Sequence, residues 1–503
     1  MTKISYNNGR AKFEPAASVT QVQMKGTGIF MIKKLLIVIM VLTALIFTSC
    51  NPFTKKKNLL DQDKPITISV WNYYNGSVKE KFDSLVTEFN ETVGAKKGVV
   101  VEAQSYGDVN ELAESVYNSA NKSMGALPMP HIFASYPDNA FRIDQISELV
   151  NLEHYFSKEE LSEIRPEFLE EGRFGEKQEL KILPIAKSTE VLFLNKTDWD
   201  SFAAKSEASL EDLSTWEGLI EIAKKYYDQT GKAFFSIDAN ANYMLISSMQ
   251  IGSELYHYIG DNAEFNLNKE NARRIWKNYY VPYLQGYFMK TGRFSSDDEK
   301  TGTVIAYTGS TAGASYFPIE VAKEDEAIPI EGITLPYPYY EGGKPYAMQQ
   351  GAGMCIAKSD EAHEYASSLF LKWFIDLPQN VQFAVSTAYL PVKSEALKTE
   401  AILKEANNMG VTNQAVQNSI TTAINMFQTY TLYGSKPFTG SYDMRSLLEN
   451  HLLQHSKDGL EQLSKRVQKG EKKADVLKEL SSEASFEEWY KKLIDSVNKT
   501  LKK

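Results

Sequence analysis

Residues 349–392 read QQGAGMCIAKSDEAHEYASSLFLKWFIDLPQNVQFAVSTAYLPV. Within them, 353–357 is a short apolar run that starts on a glycine, which predicts a buried strand. Ala362, Tyr365, Ala366, Leu369, Phe370, Trp373, Phe374 and Leu377 recur at i, i+3, i+4, i+7 spacing. That spacing predicts a helix over 362–377 with one wide apolar face. Pro378 lacks a backbone donor and is expected to stop it. A buried strand handing its chain to an amphipathic helix is the building unit of layered α/β folds. Cys355, inside the apolar run, reads as a small buried hydrophobe rather than a reactive thiol.

The same units recur upstream. Residues 66–70 alternate as a strand does, and Ser77 with Glu80 has the spacing of a capping box. Val78, Phe82, Leu85, Val86 and Phe89 then share one helical face. Further strands are expected at 99–103, 131–136, 191–195 and 302–307, and Thr215-Trp216-Glu217 opens a helix. Strands alternating with helices predict parallel βαβ units. Beyond residue 400 the chain is helical and charged in pattern, ending on an apolar face of Phe486, Trp489, Tyr490, Leu493 and Val497.

The other end carries a different signal. Met31-Ile32-Lys33-Lys34 is basic, 35–47 is apolar apart from Thr43, and Thr48-Ser49 are small. This order reads as a secretory signal. A run of this length falls short of the roughly 20 apolar residues of a membrane span. Cys50 directly after the small pair resembles a bacterial lipoprotein box, with Phe47 where Leu is usual. The resemblance implies cleavage before Cys50 and lipid on its thiol. Residues 1–30 show no targeting pattern and are expected to be a non-native extension, with 31–49 the signal peptide and 50–65 a polar, lysine-rich tether.

Charge and composition narrow the function. Residues 1–49 hold six basic side chains and one acidic one, so the chain from Cys50 onward has a net charge of −14 against −9 overall. An acidic body argues against nucleic-acid binding. The length predicts two or three structural units. With Cys50 lipidated, Cys355 has no partner for a disulfide. No phosphate loop, nucleophile elbow or zincin helix occurs. His451 and His455 share a helical face, expected to be exposed, and two imidazoles make an incomplete metal site. Catalytic residues, metal and cofactor are therefore not expected.

In combination the stretches resemble family 1 extracellular solute-binding proteins of bacterial ABC importers. In 349–392 the match is the glycine pair, the strand, the helix, the turn Pro378-Gln379-Asn380 and the ending Ala388-Tyr389-Leu390-Pro391, where the family has glycine before the tyrosine. Residues 66–71, Ile182-Leu183-Pro184-Ile185, 188–196, Thr215-Trp216 and 302–313 match in order. The resemblance implies an α/β fold of two lobes, periplasmic-binding-protein-like (type II), with a hinge and a ligand cleft between the lobes. It places 66–184 and 303–357 in an N-lobe, and 185–302 and 358–503 in a C-lobe. It further implies an extracytoplasmic, membrane-anchored monomer that captures a small molecule and delivers it to permease subunits without transforming it.

Sugar sites stack pyranose faces on aromatic rings and bond hydroxyls with polar side chains. Trp71, Tyr73 and Tyr74 follow the first strand, and Tyr136 and Asp138 follow the third, at the ends where α/β sheets bind ligands. Within the family the spacing is similar to glycerol-3-phosphate-binding proteins, which implies ligand contacts from Tyr106, Ser188, Ser310, Gly351 and Tyr389. Two departures stand out. Pro137 follows Tyr136 where that group has glutamate, and Pro437-Phe438-Thr439-Gly440-Ser441 replaces a segment with a phosphate-binding arginine, leaving Lys436 and Arg445 as the nearest cations. The expected ligand is a sugar or sugar-like polyol, with a glycerol phosphate second. The alternatives are a surface lipoprotein with an adhesin or structural role, and, behind it, a glycosidase.

Overall fold

Ile66–Asn72 shows why the first sheet forms. Thr67 faces solvent while Ile68 and Val70 are fully buried, and from Val70 onward both faces are covered. In this computed structural model, which describes residues 59–323, 326–411 and 413–502, the strand pairs in parallel with Val99–Ser105 and with Ile132–Ser135. Gly353–Ile356 closes the sheet, antiparallel to Ile132–Ser135. Helices Gly76–Phe89, Val109–Ala120 and Glu361–Phe374 pack on this sheet. The expected apolar face of the first helix is buried at all five positions.

The second sheet is built around Ser188–Asn195, buried along its whole length. Ala306–Ser310 runs antiparallel on one side and pairs in parallel with Phe235–Ile237. Tyr346–Gln350 and Gly332–Leu335 share the other side, and Thr431–Tyr433 adds to Tyr346–Gln350. Helices Asn240–Gln250, Lys269–Gln285 and Glu483–Leu501 all pack against the long helix Ser441–Gln468. The C-terminal segment thus completes the second lobe.

The chain passes between the lobes at a hinge of adjacent strands. Leu183 bridges to Met354 and Lys187 to Leu390. Gly351 sits between a strand of each sheet with φ +92°, and a Cβ there would lie 2.4 Å from the Ala186 carbonyl oxygen. Only glycine combines that backbone angle with so close an approach.

Some expectations are corrected. Ala306–Ser310 and Tyr346–Gln350 belong to the second sheet rather than to the N-lobe, because both pair with Ser188–Asn195. The helix expected over 362–377 ends at Phe374 and lies on the first lobe, where Phe370 and Trp373 meet Phe89 at 5.1 and 5.4 Å between ring centroids. Pro378 opens a new helix, Leu377–Thr387, in the first turn where a missing N–H costs nothing. No Ser77 cap forms: the helix starts at Gly76, and the Asn75 side chain bonds Gly107 and Tyr316 instead. The signal peptide, Cys50 and most of the tether lie outside the described residues.

Candidate ligand-binding cleft

Between the lobes lies a narrow cleft with a free volume of about 40 Å³. The first lobe contributes Tyr136, at the end of Ile132–Ser135, with Asp138 in the first turn of helix Pro137–Asp144, and Glu171. The second lobe contributes Asn242 from helix Asn240–Gln250, Tyr256, Gln350, Phe438, and Ser441 and Arg445 from the start of the long helix. A recess sharing Glu171 and Gln349 continues past Arg173 and Lys436.

The charges are arranged unevenly. Glu171 pairs with the buried ammonium of Lys187 and accepts from Gln349 Nε2 at 2.7 Å. Arg445 Nη2 donates to Asn242 Oδ1 at 2.9 Å, and Asn242 Nδ2 donates to Glu190 Oε1 at 3.2 Å. Glu190 is 2% exposed, and burial pushes its carboxyl up to about 8, so it is neutral at pH 7. The Arg445 guanidinium carbon lies 6.0 Å from the Tyr136 ring centroid, across the cleft.

Behind this wall is a tyrosine cluster. The hydroxyls of Tyr73 and Tyr389 meet at 3.3 Å, and Phe383 stacks on Tyr389 at 6.0 Å. Burial holds the hydroxyls of Tyr73, Tyr136 and Tyr389 above their ordinary range, so they serve as neutral hydrogen-bonding groups. Beyond the hinge, three contacts tie the lobes together directly. Arg293 pairs with Asp108, Tyr316 Oη donates to Asn75 Oδ1 at 2.8 Å, and Tyr442 Oη donates to Glu114 Oε1 at 3.2 Å.

Residues 84–410 match the family model described as bacterial extracellular solute-binding protein. The chain belongs to that family. No curated protein matches it in sequence. Among solved structures, it is similar to the cyclic alpha-maltosyl-1,6-maltose binding protein from Arthrobacter globiformis, at 17% identity and a TM-score of 0.63, covering 87% of this chain and 99% of that one. The GacH receptor of Streptomyces glaucescens, solved unliganded and with acarbose, matches at 13% identity and 0.61 over 85% and 98%. UgpB from Mycobacterium tuberculosis, in complex with glycerophosphocholine, matches at 14% identity and 0.60 over 86% and 99%. These likenesses establish the shared two-lobe α/β fold.

In this solute-binding protein the residues singled out from sequence fall into groups. Tyr136 and Asp138 line the cleft. Gly351 is at the hinge, next to the lining residue Gln350. Tyr73 and Tyr389 touch each other in the tyrosine cluster. Trp71 is 4% exposed and packs on Tyr106 at 5.0 Å, and the Tyr106 hydroxyl is buried without a partner. Ser310 Oγ donates to Ser188 Oγ at 3.2 Å, which uses part of their capacity on each other. Of the lining residues, Glu171, Asn242, Tyr256, Phe438 and Ser441 had no role assigned from sequence, and Arg445 was noted only as a cation. One signal was available: Asn240–Gln250 follows a strand, as the Tyr136 segment does.

His451 and His455 are not on an exposed face. His455 stacks on Tyr280 at 4.3 Å and both histidines pack near Trp489. Helices Lys269–Gln285 and Glu483–Leu501 cover that face. Among the described residues no three His, Cys, Asp or Glu are grouped to hold a metal ion, and no helix is long and apolar enough to cross a membrane.

Proposed function

We propose that the protein captures a sugar or sugar-like polyol between its lobes and delivers it to an ABC import permease while anchored through lipid on Cys50. The observation that carries this reading is the composition of the cleft. The half-buried ring of Tyr136 offers a face to the C–H surface of a sugar, and Asp138 and the unpartnered Oε1 of Gln350 offer hydroxyl partners, while Tyr256 and Phe438, packed together at 4.8 Å, back the second-lobe wall. Relatives of the same fold are named for binding a cyclic maltosyl-maltose, acarbose and mannotriose. Ligand touching both lobes favours the closed arrangement by its differential affinity for it, and the closed form is the one presented to the permease. Trp71, Tyr73, Tyr106, Tyr136, Asp138, Ser188, Ser310, Gly351 and Tyr389 are proposed as the site and its immediate support.

A thermal-shift screen of the purified chain against mono- and oligosaccharides, polyols and glycerol phosphates tests the reading. Ligand at a hundredfold excess over Kd adds about 2.7 kcal/mol of stability. A large shift with one class is expected; none across the panel returns weight to the adhesin alternative. The anchor is tested separately, by radiolabelled palmitate incorporation that a Cys50→Ser variant loses.

A further inference from the structure

We propose that the cleft takes a ligand carrying an anionic group, seated between the Arg445 guanidinium and the N-terminus of helix Ser441–Gln468. This rests on the reading of the cleft as the solute site and names the chemistry of its second-lobe wall. The first observation is an arginine without a counter-ion. Of the eight arginines among the described residues, seven have a carboxylate within ion-pair distance. Arg445 has none: its guanidinium donates instead to the neutral amide of Asn242. The carboxyl behind that amide, Glu190, is kept uncharged by burial. A guanidinium lining a cleft with only Nη2 engaged, by a neutral amide, keeps donors suited to bidentate recognition of a carboxylate, sulfate or phosphate.

The second observation is independent of Arg445. The long helix begins at Gly440, which has no side chain to cap the free N–H groups of the first turn. Ser441, the first helical residue, is 8% exposed, lines the cleft, and its Oγ has no hydrogen-bond partner. An unused buried hydroxyl, an uncapped helix start and an unpaired guanidinium therefore converge on one wall, where the helix dipole also favours negative charge. Asp443, the acidic residue of that first turn, is exposed.

The facing wall has the opposite character. Glu171 is balanced by Lys187, while Asp138 spends one oxygen on the backbone N–H of Asn139 and keeps acceptor capacity for hydroxyls. The two walls together suit a two-ended ligand, with hydroxyls toward Asp138 and an anion toward Arg445. A sugar phosphate, a sugar acid and a polyol phosphate share that chemistry.

Isothermal titration of the full chain with matched probes tests this: glucose, glucose 6-phosphate and glucuronate, and glycerol against glycerol 3-phosphate. The expected result is at least one anionic probe binding about 10- to 100-fold tighter than its neutral counterpart. That advantage falls at least tenfold in Arg445→Gln, is partly kept in Arg445→Lys, and shrinks in Ser441→Ala and as NaCl is raised. An unchanged melting temperature in Arg445→Lys shows that folding is intact. Neutral sugars bound as tightly as charged ones, or a charge preference untouched by Arg445→Gln, overturns the anion site and leaves the sugar-binding reading standing. No binding of any probe, with maltose and mannotriose also inert, overturns both.

Discussion

At the residue scale, the tyrosine cluster and Glu190 make opposite demands on their surroundings. Tyr389 is buried, bonded to Tyr73 and stacked by Phe383. Tyr389→Ala is expected to weaken ligand binding at least about tenfold by loosening this wall, whereas Tyr389→Phe, which keeps the ring, is expected to lose much less; calorimetry on the pair separates ring from hydroxyl. Glu190 has an oxygen without a partner, and its folded-state pKa of about 8 lies above the ordinary 4.5. The stability it permits is therefore fully present below about pH 4.5 and is lost as pH rises through 8, a change on the order of a few kcal/mol. Glu190→Gln, neutral at every pH, is expected to flatten the alkaline fall in Tm; an unchanged pH profile would mean that the carboxyl is already ionised and paired. Tyr136 and Asp138 were legible in the sequence because they follow a strand directly. Arg445 was visible as a cation but not as an unpaired one, since that depends on Asn242 and Glu190, which lie far from it in the chain.

At the element scale, periodicity located most strands and helices, and it failed where pairing or a neighbour decides. The run 302–307 was expected as a strand, but the strand begins at Ala306, after the turn at Gly302 with φ +68°. Nothing in the run itself states that its partner is Ser188–Asn195, and so its lobe was misread. The long C-terminal helix teaches the same point: His451 and His455 look like a polar stripe until Lys269–Gln285 and Glu483–Leu501 are laid against them. His451 Nδ1 and His455 Nε2 are buried without partners, and burial is the main cause that lowers both pKa values, that of His455 to about 4. His451 and then Lys492 disfavour its protonation further, while Asp458 and Glu488 only partly oppose this. Because the folded pKa lies below the ordinary 6.5, the stability His455 contributes is present above about pH 6.5 and lost as pH falls through 4, by at most about 3.5 kcal/mol. The C-terminal helices are expected to loosen first on acidification, seen as early hydrogen exchange in Glu483–Leu501, and His455→Gln is expected to reduce that sensitivity.

At the scale of the whole molecule, two sheets and a hinge were implied by the family resemblance, while the way the lobes meet was not. The lobe contacts Arg293–Asp108, Tyr316–Asn75 and Tyr442–Glu114 join residues 185 to 328 positions apart, and no local pattern announces them. They lie outside the cleft lining, so they bias the open–closed balance without touching ligand. A surface ion pair is worth at most about 1 kcal/mol, and a neutral hydrogen bond adds about as much. Removing two contacts thus shifts the equilibrium by roughly 1–2 kcal/mol, or about 5- to 30-fold. The double variant Arg293→Ala, Tyr316→Phe is expected to show a larger radius of gyration in ligand-free solution scattering and a weaker apparent affinity by that factor. Saturating ligand is expected to restore the compact form, because contacts to both lobes then replace those lost. A variant as compact as the parent without ligand would show that the hinge alone sets the closed geometry, since the strands Lys187–Leu390 and Leu183–Met354 would then hold the lobes together unaided.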